Sequence, residues 1–106
     1  MKISIREARV EDVTIMTNLS NQLGYQIEIE QTKERLMHIL THQDNCVFVA
    51  LEGELVIGWS HGFYTLRVES APFVEIGGLV IDENYRRNGI GSMLVDKVID
   101  LSLIHI

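Results

Sequence analysis

The run FVEIGGLVIDENYRRNGIGSMLVDKVIDL, from Phe73 to Leu101, constrains the fold more than any other part of the chain. It starts as an apolar stretch rich in β-branched residues, which reads as a strand. Gly77 and Gly78 interrupt that stretch, and glycines inside a strand mark a bulge or a close backbone approach. Beyond Asp82 come Arg86 and Arg87, then Gly89 and Gly91. From Gly89 onward Ile90, Leu94, Val98 and Leu101 fall on one helical stripe. A strand is thus handed through a basic, glycine-bearing turn to a helix N-terminus. Such a junction aims unpaired N–H groups outward, and with the helix dipole, about half a positive charge, they attract phosphate. Glycines let a phosphate approach the backbone, and guanidinium groups pair with its oxygens. A solvated turn that merely starts a helix is the other reading of the same spacing.

Upstream, ISIREA alternates as a first strand, and a helix is expected from about Glu11 to Leu23, with Met16, Leu19 and Leu23 inward and Gly24 as its stop. A second helix is expected from about Glu30 to His42, stacking Leu36, Ile39 and Leu40. CVFVALE, the turn Glu52-Gly53-Glu54 and LVIGWSHGFYTLR read as a hairpin, and APFVEIGGLVID continues the sheet. Strand, two helices, three strands and a helix make a mixed α/β domain. A chain of 106 residues holds one such core. No apolar run reaches the 18 or so residues of a membrane span, and the N-terminus lacks a signal-like apolar segment, so a cytoplasmic protein with no membrane partner is expected. The single cysteine, Cys46, excludes an internal disulfide and a cysteine metal cluster. A formal charge of −6 argues against nucleic acid and suits a cationic ligand.

Two familiar phosphate loops do not fit. A dinucleotide fingerprint needs a third glycine where Leu94 stands, and a Walker loop needs Gly-Lys-Ser/Thr. Arg86-Arg87-Asn88-Gly89-Ile90-Gly91, preceded by EIGGLVIDENY, instead resembles the R/Q-x-x-G-x-G/A acetyl-CoA motif of the GNAT N-acetyltransferases, with that family's fourth strand and third helix in register. The resemblance runs from Lys2 to Asp100. It implies a GNAT-like mixed, mostly antiparallel sheet flanked by helices, lacking its last strands and helix. It also implies transfer of acetyl from acetyl-CoA to a primary amine, small molecule or peptide, by direct attack through a tetrahedral intermediate. Carried over position by position, Arg86, Arg87, Asn88, Gly89, Ile90, Gly91 and Ser92 would hold the coenzyme's pyrophosphate, and Leu79, Val80 and Ile81 would flank its pantetheine arm. The Leu79 N–H would be the oxyanion donor. Glu75, eleven positions before Arg86, matches the general base of the histone-acetyltransferase branch. An ordinary strand-face Glu75 paired with Arg67 is the equal alternative. A non-catalytic acyl-CoA-binding sensor is the second functional reading, and a homodimer is compatible with either.

The last six residues, LSLIHI (Leu101–Ile106), equal the in-frame translation of a transposase adapter used in sequencing libraries. They are read as an adapter-derived tail after a partial acetyltransferase domain spanning 2–100, a natural helix end being the other reading. The family's tyrosine acid would lie beyond that point, so the fragment itself is expected to be nearly inactive. His38 and His42 have i, i+4 spacing but no evident third metal ligand, so no metal is expected. Asn18-Leu19-Ser20 matches a glycosylation sequon inside an expected helix. Trp59, His61 and Phe63 alternate on one strand face and line either an acceptor pocket or the core, Trp59 favouring the core. Tyr25 and Gln26 follow the first helix where the family often binds its acceptor. Cys46 reads as a strand residue rather than a nucleophile.

Overall fold

The computed structural model describes residues 2–105, with side chains through residue 101. Four antiparallel strands lie in the order β1 (Ile3–Glu7), β2 (Asn45–Glu52), β3 (Leu55–Thr65) and β4 (Phe73–Ile81). Helices α1 (Val13–Asn21) and α2 (Ile29–Leu40) connect β1 to β2, and α3 (Ile90–His105) follows β4. The expected order and the mostly antiparallel sheet are both present. Ser102–Ile106, with most of the expected tail, fall outside the described side chains.

Strand alternation divides the apolar residues between two layers. Val47, Val49, Leu51, Val56 and Val80 meet Met16 and Leu19 of α1 and Leu36 of α2 on one face. Phe48, Ala50 and Ile57 meet Ile90, Leu94 and Val98 of α3 on the other. The period of 2 in the strands and 3.6 in the helices produces this sorting without further instruction. Val49, Ala50, Ile57 and Leu94 have no solvent exposure.

Both helices before β2 are shorter than expected. Residues Val10–Asp12 form a 3-10 turn, and α1 then stops at Asn21. Leu23 is therefore exposed, not inward, and Leu40 at the end of α2 is exposed as well. The late start of α1 is set at Asp12. Its buried carboxylate accepts two hydrogen bonds from the Arg6 guanidinium, at 2.8 and 2.9 Å, and one from the Arg9 N–H at 2.8 Å. Those bonds bend the chain from β1 into the helix. The Arg6 hydrogen bonds hold the Asp12 carboxyl below the usual carboxylate range.

Two irregularities shape β3 and β4. Pairing passes from Ala50↔Gly58 to Leu51↔Val56, leaving Ile57 without a partner on β2. It also passes from His61↔Gly78 to Gly62↔Ile76, leaving Gly77 as the extra residue of a bulge. The bulge expected at the paired glycines is present. It is packed over by aromatics: a β-carbon on Gly78 would stand 2.8 Å from the Trp59 ring, and one on Gly77 2.7 Å from the Phe63 ring.

Candidate functional site

The turn from Asp82 to Gly89 is fixed at its start and open at its end. The Asp82 side chain accepts from the Asn84 N–H at 2.8 Å, and the Tyr85 N–H donates to the Asp82 carbonyl at 2.9 Å. The Tyr85 hydroxyl donates to Glu52 on β2 at 3.0 Å, which raises the phenol's pKa. The Asn88 amide bonds the carbonyls of Tyr85 and Arg86. The Tyr85 and Arg86 carbonyls are thereby engaged within the turn.

Arg87 has φ 68 and Gly89 has φ 76. A left-handed arginine costs roughly 1–2 kcal/mol, and alternating handedness of this kind makes an anion-binding nest of successive N–H groups. Among the described residues, no main-chain N–H from Arg87 to Ser92 donates to a protein acceptor. The first helical bond of α3 runs from the Met93 N–H to the Gly89 carbonyl at 3.2 Å. Space is open beside both glycines. A β-carbon on Gly89 would meet nothing within 4 Å, and one on Gly91 only Leu79, at 3.8 Å. Donors, space and two exposed arginines fit a diphosphate.

The adjoining strand edge is also free. β4 pairs with β3 and with no other described strand. The Asp82 N–H donates to the Ile57 carbonyl at 2.8 Å. Because alternate residues of an antiparallel strand address the same neighbour, Val80 and Gly78 face β3. Leu79 and Ile81 turn their main-chain groups to the open edge.

Glu75 lies across β3 from Asn45: Glu75 opposes Phe63, and Phe63 opposes Asn45. Its carboxylate accepts from the Thr65 hydroxyl at 3.0 Å and lies 3.9 Å from the Arg67 guanidinium. Arg67 also stacks over Phe73, 5.2 Å from its centroid. Glu75 thus has the ordinary pairing that was one of its two expected states. Trp59 and His61 line a cavity of about 170 Å³ between the sheet and α1–α2, with Met16, Leu36 and Arg35. The Trp59 Nε1–H is buried without a partner among the described residues. A larger hollow of about 340 Å³ lies under the far half of α3, against Cys46, Gly62 and Val98, and no turn residue lines it. Burial raises the Cys46 thiol's pKa, as befits a strand residue bonded to the Gly62 carbonyl at 3.6 Å. His42 Nδ1 bonds the His38 carbonyl at 2.9 Å, and no metal-holding group of three ligands occurs among the described residues. No described helix is long and apolar enough to cross a membrane. Tyr25 is exposed at the α1–α2 connection, and Gln26 lines a shallow cleft there with Asn21 and Glu28.

Two contacts had no sequence signal strong enough to find them. Gln22, at the end of α1, accepts from the Glu83 N–H at 3.0 Å and donates to Asp82 at 3.3 Å, tying the turn to a helix sixty positions away. His61 Nε2 lies 2.7 Å from the Asn45 amide oxygen.

Comparison with known proteins gives the family and the fold. Residues 11–103 match the model of the acetyltransferase (GNAT) family. A GNAT family acetyltransferase from Staphylococcus aureus superposes with a TM-score of 0.80 at 26% identity, over 96% of this chain and 78% of that one. A transcriptional regulator from Bacillus halodurans reaches 0.85 at 23% identity, over 98% and 76%. The acetyltransferase AAC(6')-Iy, solved with a bisubstrate analogue of coenzyme A, reaches 0.84 at 17% identity, over 99% and 74%. No curated protein sequence matches the chain.

Proposed function

Because this chain belongs to the acetyltransferase (GNAT) family, we propose that its site binds acetyl-CoA and serves N-acetylation of a primary amine by direct attack. The observation that carries the reading is the row of unbonded amides from Arg87 to Ser92 beside two open glycines. Bound acetyl-CoA would supply an activated acetyl thioester. The turn amides would hold its diphosphate, with Arg86 and Arg87 as charged neighbours. The open edge of β4 at Leu79 and Ile81 would orient the pantetheine arm, with Val80 buried behind it. The Leu79 N–H would face the carbonyl oxygen, a donor worth about 3 kcal/mol of barrier in such sites. Glu75 is a candidate for the amine's proton, directly or through water, although Thr65 and Arg67 already engage it.

An amine substrate suits a chain of net charge −6, whose field concentrates cations. The aminoglycoside acetyltransferases among its structural neighbours act on such polyamines, and a small polar amine is the acceptor class we favour. Coenzyme A titrated into ¹⁵N-labelled protein tests the reading. The amide signals of Arg87 to Ser92 should move together, and Arg86→Ala should weaken affinity about tenfold, or 1.4 kcal/mol. Shifts scattered elsewhere, or none, would refute the site.

A further inference from the structure

We propose that His61 is the base that takes the acceptor amine's proton, with Asn45 as the residue that fixes its tautomer; this rests on the acetyl-transfer reading above. His61 opposes Val47 on β2 and Gly78 on β4, so its ring lies on the sheet face beside the bulge. The Asn45 oxygen, 2.7 Å from Nε2, can only accept. The neutral ring is therefore protonated at Nε2, and Nδ1 keeps its lone pair. Nδ1 lies 3.1 Å from where a β-carbon of Gly77 would stand, and it has no partner among the described residues. The missing β-carbon gives the nitrogen access to β4. An arm that pairs with Ile81 and then Leu79 brings its far end to this bulge.

The surroundings favour the basic form. Burial lowers the His61 pKa, so the ring is neutral near pH 7. The charged groups near it are Glu75, on the same face of β4 with Arg67 beside it, and Arg35 of α2, across the cavity. β2 contributes the neutral Asn45, and α1 contributes Met16 and Ser20 to the cavity. Glu75, held by Thr65 and Arg67, is left to attract the ammonium. The step balances as follows. Nδ1 takes one proton from the ammonium, and the freed lone pair bonds the acetyl carbon. The C–S bond breaks with its electron pair on sulfur, which takes the second proton from nitrogen. The imidazolium then returns its proton to water.

Histidine ¹⁵N spectra of the intact chain provide a test independent of turnover. The His61 ring should show the Nε2–H form, and Asn45→Ala should mix the two tautomers. Acetyl-CoA should move the His61 signals and leave those of His42 in place. Thiol release from acetyl-CoA with a primary alkylamine, followed over hours, should rise with pH through the His61 midpoint. His61→Gln should remove that rise, and His42→Gln should keep it. A His61 ring indifferent to acetyl-CoA that saturates the turn amides overturns the proposal. So does equal release from wild type and His61→Gln at every pH, zero included. Turn amides that also fail to respond count against the coenzyme reading itself.

Discussion

Asp12 shows how much one carboxylate can decide. Buried and triply hydrogen-bonded to Arg6 and the Arg9 N–H, it sets where α1 begins. Removing it leaves a partly buried guanidinium with the Glu7 carbonyl but no carboxylate. Arg6 retains 29% side-chain exposure, so the loss falls below that of a fully buried pair, at about 2 kcal/mol. Asp12→Ala should therefore lower the melting temperature by roughly 10 °C. Because the folded carboxyl titrates below its ordinary value of 3.8, its contribution is complete above that value. It disappears as pH falls through the folded pKa. Melting curves of the two proteins should thus converge in strong acid. The depressed His61 acts in the same direction at higher pH: stability falls as pH drops below about 6.5 toward its folded midpoint.

At the scale of elements, the β3–β4 pair carries most of the proposed site, and aromatic rings crowd its bulge. A β-carbon on Gly78 would lie 2.8 and 2.9 Å from two atoms of the Trp59 ring. Gly78→Ala should destabilise the chain by about 1–3 kcal/mol in chemical denaturation, and should disturb His61, which opposes it. These glycines were legible as a bulge because a strand has few other uses for two of them in succession. The α3 stripe was legible too, and Ile90, Leu94 and Val98 are buried as spaced. The start of α1 was not legible because a side-chain contact, Arg6 with Asp12, overrides helical periodicity there. The histidine–asparagine contact was hidden for a related reason. It joins residues 45 and 61 diagonally across two strands, and one sequence carries no mark of which diagonal neighbours will meet. Gln22 and the turn are separated still further.

For the whole molecule, the uneven distribution of charge matters more than its sum. In a chain of net −6, the proposed seat for a polyanion rests on the amides, the helix end and the two arginines that converge at one turn. Binding there should couple to global stability. Coenzyme A at 100 times its Kd adds about 2.7 kcal/mol, a rise of roughly 10–20 °C in melting temperature for a domain this small. Calorimetric scans with and without the nucleotide measure it, and an unchanged midpoint would count against specific binding. Among the described residues, the outer side of β4 at Leu79 and Ile81 has no partner strand, with the Ile81 carbonyl accepting only from Arg86 Nε at 3.4 Å and both side chains partly covered. Exposed rungs of this kind recruit any extended backbone, a neighbouring copy included. An occupied site would then act as a solubility guard, and concentrated protein kept without nucleotide should be the first to precipitate.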